Sequence, residues 1–186
     1  LLFSTKRIGT VLVPGGILMG IVSPISGLLS DKFGPRWFTF AGLLWTSIGL
    51  FILSTLNAES NEWLPYIGVI PVLSGVGGFY GPSNSAVLSV VPQSQSGSVI
   101  GLLNLTRNLG NLLAFPISVL IVTTVMASNG FYPDLSSVTA SSDPQLLNAF
   151  ILGMDRTFLY IGLLCVLGSI LSLYRQSLKV NKVYIS

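Results

Sequence analysis

Apolar residues along this chain come in uninterrupted runs separated by short polar breaks, instead of recurring on one face of otherwise polar helices. Residues 8–29 and 37–56 contain no charged side chain, and each is near the roughly 17–25 residues that cross a bilayer as a helix. Further runs at 64–91, 97–126 and 158–173 read in the same way, the last falling just short. Before it, Leu146, Leu147, Phe150, Ile151 and Met154 recur at helical spacing after Asp143-Pro144, a cap followed by a first turn. This pattern predicts an amphipathic helix at the membrane surface feeding the fifth span. The fold class expected is therefore an all-α membrane protein of five transmembrane helices.

Composition sharpens that reading. A mean hydropathy of +0.77 with 8% charged residues leaves too few charges to cover a water-facing surface, which excludes a disordered chain and argues against a soluble domain. Lys6-Arg7 before an apolar run has the look of a secretory signal, but the run is longer than a signal core and has no small-residue cleavage site before the next charged turn. The net charge of +3 comes with no basic cluster and no interleaved aromatics, so no nucleic-acid partner is expected.

Catalytic chemistry finds little footing. There is no histidine, the single cysteine is Cys165 in the last apolar run, and every carboxylate is read as lying outside the spans or in a turn. No metal, cofactor or enzyme activity is expected from such a set. Gly75 to Gly81 has the glycine density of a phosphate-cradling loop but lacks a following Lys-Ser or Lys-Thr and sits in an apolar run. The sequon Asn104-Leu105-Thr106 falls inside a span and is not a credible glycosylation acceptor.

Between the first two runs lies Gly27-Leu28-Leu29-Ser30-Asp31-Lys32-Phe33-Gly34-Pro35-Arg36. Its spacing, at Gly27, Asp31, Lys32, Gly34 and Arg36, resembles the signature loop of the major facilitator superfamily, departing at Pro35, where a second basic residue is common. Pro14-Gly15-Gly16 and the stretch from Gly97 to Gly110 also resemble that family, and most of all its fourteen-span drug and proton exporters. The resemblance implies a cytoplasmic signature loop and a partial C-terminal six-helix half of the fold: its last five helices, with one helix of that half and the whole N-terminal half missing. It also implies an integral protein of the plasma membrane that exports small amphipathic or drug-like molecules by alternating access, with the proton as coupling ion. Its partners are then the lipid bilayer, a small-molecule substrate and the missing N-terminal half. A metabolite uptake facilitator or symporter of the same fold, and a non-transporting membrane scaffold, remain open alternatives.

With that loop inside, Lys32, Arg36, Arg175, Lys179 and Lys182 are cytoplasmic against Lys6, Arg7 and Arg156 outside, in moderate agreement with the positive-inside rule. Glu59, Glu62, Asp134, Asp143 and Asp155 fall outside. Trp37 and Tyr174 belong to the inner aromatic belt, and Trp63, Tyr66 and Tyr160 to the outer one.

Within the signature loop, Gly34 permits a tight turn, and Asp31 is near the positive N-terminal end of the next helix. The resemblance makes the loop a conformational latch; a plain topology anchor is the alternative. The uniformly apolar second and fifth spans are expected to face lipid on more than one side. Gly16-x-x-x-Gly20 and Gly97-x-x-x-Gly101 favour close helix packing. The third span is expected to break around Gly81-Pro82, with Ser74, Ser83, Asn84 and Ser85 packed or lining a cavity.

Arg107 is the only charge inside the spans so read, about 15 Å along the helix from Gly97. Central arginine costs about 2.5–3.5 kcal/mol on insertion scales, so it needs a partner or a wet cavity. Asn104, Asn108 and Asn111 accompany it in a polar stripe. Two readings stand: Arg107 snorkels to headgroups while the asparagines bond neighbouring helices, or the stripe, with Asn84, forms a gate or cavity.

Overall fold

The computed structural model describes residues 5–57, 60–61, 63–131, 138 and 144–174. The five helices are α1 (Thr5–Phe33), α2 (Pro35–Leu53), α3 (Leu64–Leu88), α4 (Ser96–Ser128) and α5 (Pro144–Tyr174), with a 3-10 turn at Gln93–Gln95 before α4. All five are long and apolar enough to cross a membrane. The charges at Glu59, Glu62, Asp134, Asp143, Arg175, Lys179 and Lys182, which carry much of the orientation argument, lie outside the described residues.

The break between α1 and α2 is a single residue. Gly34 adopts φ 88° and ψ 139°, its N–H donates to the Ser30 carbonyl at 2.8 Å, and Pro35 then opens α2 with its preset φ. Side chains avoid this backbone region, so Gly34→Ala is expected to cost about 1–3 kcal/mol, read as a lower unfolding temperature of the detergent-solubilised protein. The α2 N-terminus has no side-chain cap, so Asp31 does not serve it in the way the sequence suggested.

The helices pack in the order α1, α3, α2, α5, α4. Glycine sets the closest approaches. A Cβ on Gly42 of α2 would lie 2.7 Å from the Phe79 nitrogen and 2.9 Å from the Gly75 carbonyl oxygen of α3, and one on Gly49 would lie 2.8 Å from the Val72 nitrogen. On the other side of α3, a Cβ on Gly77 would lie 2.9 Å from the Met19 carbonyl oxygen of α1. Backbones in such contact gain dispersion and small-residue packing, the main attraction available between helices in lipid.

Some buried hydroxyls are satisfied on their own helix and others across a seam. Thr46 donates to the Gly42 carbonyl at 2.9 Å and Ser47 to that of Leu44 at 2.7 Å, so each is satisfied on its own helix and serves as a small packing residue. Between α2 and α5, Thr39 and Ser172 share a hydrogen bond of 2.6 Å.

Three expectations change. First, α2 is the most internal helix of the five, with 39% of its apolar window buried against 11–17% for the others, because Gly42, Thr46 and Gly49 fit it to α3 while its other side packs on α5. Uniform apolarity does not distinguish lipid from a neighbouring helix; small residues do. Second, α3 runs unbroken through Pro71 and Pro82, and Ser74 bonds back to Ile70 at 2.7 Å while accepting from Trp45 Nε1 at 3.1 Å, so it faces α2. Third, the amphipathic stretch before residue 158 is continuous with the last span, a single helix that carries Asp155 and Arg156.

The two glycine pairs behave unlike the packed glycines of α3. Nothing lies within 4 Å of a Cβ built on Gly16, Gly20, Gly97 or Gly101. These positions are not used for packing among the described residues.

Candidate functional site

The last two turns of α3 present polar groups on two faces at the end of the bundle that holds the signature turn. Ser85 looks toward α1, and its Oγ donates to Asp31 Oδ1 at 2.6 Å. Asn84, one residue and about 100° away, looks toward α4. Its Oδ1 accepts a hydrogen bond from Arg107 Nη2, and Arg107 Cζ stands 4.6 Å from the centroid of the Tyr80 ring. Tyr80 and Asn84 share a face at i, i+4 spacing, so the guanidinium is held by an amide oxygen and an aromatic face.

This bridge stands alone in an important place. The extended helix contact of α4 is with α5, and α3 and α4 form no comparable interface among the described residues. A crevice of about 160 Å³ opens between them, lined by Asn84, Leu88, Ile100, Leu103, Asn104 and Arg107. The structure thus brings Asn84, Asn104 and Arg107 together, whereas Asn108 and Asn111 are exposed and do not line the crevice.

The depth of Arg107 also changes. Counting from Gly97 puts it about 15 Å into the span. Its partner Asn84, however, is only four residues before Leu88, the end of α3, which is about 6 Å. The next residue, Ser85, touches the signature turn itself. The start of α4 therefore extends past the end of α3, and the guanidinium lies within about two turns of that end.

Of the signature residues, Asp31, Lys32 and Arg36 are exposed and Gly27 is half-buried, where a Cβ would make ordinary 3.7 Å contact with the Gly81 backbone. Asp31→Ala, which deletes the acceptor for Ser85, is expected to destabilise the protein by about 1 kcal/mol, and Asp31→Asn, which keeps an acceptor oxygen, by less. Thermal unfolding of both variants beside the parent checks this.

Sequence reasoning missed two residues. Tyr80 was legible only as an aromatic one turn before Asn84. Asp155 was read as preceding the fifth span; it sits within α5, with a buried Oδ1 that has no hydrogen-bond partner among the described residues. It precedes by seven residues Gly162, which packs on Phe51 of α2, so it lies on the α2 side of α5 and away from the crevice.

A family model described as the Major Facilitator Superfamily matches residues 3–182. The chain belongs to that superfamily. That family is one of membrane transporters and not of enzymes. Among curated superfamily relatives, it is 25% identical over 174 residues to the lincomycin resistance protein LmrB of Bacillus subtilis, covering 93% of this chain and 35% of that one. To the riboflavin transporter RibZ of Clostridioides difficile it is 25% identical over 171 residues, with coverage of 92% and 35%. To the multidrug resistance protein Stp of Mycobacterium tuberculosis it is 28% identical over 109 residues, with coverage of 59% and 20%. The chain spans little more than a third of the length of the first of these relatives.

Proposed function

We propose that this chain is part of the C-terminal half of a secondary transporter that exports small amphipathic or drug-like compounds across the plasma membrane by alternating access, driven by proton antiport. The observation that carries the alternating-access reading is the Asn84–Arg107–Tyr80 bridge, the polar link between α3 and α4 beside the signature turn. Formed, it closes that end of the α3–α4 crevice; released, it lets the two helices part. Ser85 ties the same turn of α3 to Asp31, so the signature loop and the bridge move with one helix end. In this reading Gly27, Asp31, Lys32, Gly34 and Arg36 form the latch and that end is cytoplasmic. Resistance proteins among the relatives support drug export.

Pseudo-symmetry supports a larger whole. Three-helix repeats in this kind of fold are inverted. Taking α3, α4 and α5 as one repeat, its first helix packs on α1 and α2, the later helices of the other. The helix before α1 then belongs on α4 and α5, where an apolar groove of about 300 Å³ is lined by Phe115, Val122, Phe150, Phe158 and Ile161. Asp31 is engaged with Ser85 and Asp155 faces away from the crevice, so the proton-coupling group is assigned to the N-terminal half.

The test is transport by the full-length protein in proteoliposomes with an imposed pH gradient, using ethidium as the amphipathic probe. Accumulation that follows the gradient and collapses with a protonophore is expected. Uptake of riboflavin without ethidium export would favour the metabolite-uptake reading; a riboflavin transporter is among the relatives. No movement of any compound in a panel would leave the scaffold reading.

A further inference from the structure

Arg107 carries a full charge on a membrane-spanning helix, and no carboxylate neutralises it among the described residues. Its partners are the neutral amide of Asn84 and the face of Tyr80. A guanidinium has five N–H donors, and Asn84 accepts from one of them. The side chain borders the crevice between α3 and α4, with Asn104, one turn earlier on α4, offering its amide to the same space.

Three properties of the crevice define what fits it. At about 160 Å³ it is smaller than the roughly 300–1,000 Å³ of sites that enclose a drug-sized ligand, so it holds a single headgroup and not a whole molecule. Leu88, Ile100 and Leu103 make the rest of its wall apolar, which suits a headgroup joined to an apolar tail. Electrostatics favour an anion. Lys32 and Arg36 stand at the same end of the bundle, and the one acid there among the described residues, Asp31, is tied to Ser85 on the α1 side of α3.

We propose that the α3–α4 crevice binds the anionic headgroup, phosphate or carboxylate, of an amphipathic molecule, with Arg107 as the cation and Asn104 as a second donor. As a substrate subsite this rests on the transport reading above; as a headgroup site for an anionic phospholipid of the adjoining leaflet it does not. The anion accepts from the Arg107 N–H groups that Asn84 leaves unused and competes with Asn84 for the guanidinium, so its arrival loosens the bridge between α3 and α4. Paired N–H donors on a planar guanidinium suit both phosphate and carboxylate.

The test uses the full-length protein in phosphatidylcholine nanodiscs and measures equilibrium binding of dodecyl phosphate, with dodecyl maltoside as the neutral control. Saturable binding of dodecyl phosphate is expected, weakened about tenfold or more by Arg107→Gln and several-fold by Asn104→Leu, with the maltoside unaffected. Asn104 is exposed, so its variant reports even if the Arg107 variant folds poorly. Equal affinity of parent and Asn104→Leu for dodecyl phosphate, or a loss shared with the maltoside, overturns the proposal. Two supporting outcomes separate the sources. Transport of dodecyl phosphate in proteoliposomes identifies a substrate subsite; phosphatidylglycerol retained in native mass spectra of the parent but not of the variants, without such transport, identifies a lipid site. Binding is read at equilibrium, so failure of the export reading leaves this result standing, and the reverse also holds.

Discussion

Gly75→Leu is expected to cost the protein about 3 kcal/mol or more, at or beyond the upper end for overpacking, and to appear as aggregated or unfolded material after solubilisation. Gly75 of α3 meets Gly42 of α2 backbone to backbone: a Cβ on Gly75 would lie 2.7 Å from the Gly42 carbonyl oxygen and 2.7 Å from the Thr46 nitrogen. Neither neighbour is the flexible end of a side chain, so accommodating a leucine means moving α2 away from α3 along a seam that also includes Gly49 and Gly68. A whole domain is stable by only about 5–15 kcal/mol, which makes the loss a large share. Gly101→Leu is the control. Nothing lies within 4 Å of a Cβ there, and its effect on the thermal unfolding midpoint is expected to stay within the roughly 0.5 kcal/mol typical of open positions.

Arg107→Ala is expected to leave stability nearly unchanged while lowering transport about tenfold or more. The substitution removes a charged hydrogen bond to Asn84, about 1.5–3 kcal/mol, and a cation–π contact with Tyr80, about 0.5–2 kcal/mol. It also removes the insertion cost of the guanidinium, up to about 2.5–3.5 kcal/mol for a central arginine, which offsets much of that loss. Under the proposed gating role the terms do not cancel in the opening equilibrium, because the bridge forms only when α3 and α4 are together. Losing about 2 kcal/mol from the closed state shifts the ratio of closed to open about 30-fold. A single cysteine introduced at Leu103, with Cys165 replaced, reports the shift as faster labelling by a membrane-impermeant maleimide. Arg107→Lys keeps the charge without the fork and is expected to recover part of the transport. Unchanged labelling and transport in Arg107→Ala would sink the gating role.

The same residues show how far the chain could be read without its structure. The five helices and the sharp turn at Gly34 were legible because each depends on local chemistry: long apolar runs, a glycine that tolerates positive φ, and a proline ready to start a helix. Arg107 and Asn84 were legible as candidates because polar groups are costly in a span. Their meeting was not, since Asn84 and Arg107 lie on different helices and the register of α4 against α3 sets Arg107 nearer the turn end than counting from Gly97 implies. Asp31 was read as serving α2 when its partner is Ser85 of α3. The glycine spacing misled in an instructive way: the two spaced pairs, Gly16/Gly20 and Gly97/Gly101, face open space, whereas Gly42, Gly49, Gly75 and Gly77 make the close contacts.

The sequence by itself determined that this is a helical membrane protein and a segment of a major facilitator superfamily chain, because hydrophobic length and turn chemistry are properties of consecutive residues. Only the tertiary structure decided which helix lies inside, which glycines are contacts and which polar residues share a site. The helices are apolar over most of their circumference, so hydrophobic patterning alone does not announce the inward face, and in lipid that face is chosen by backbone fit between small residues and by a few polar pairs across the gap.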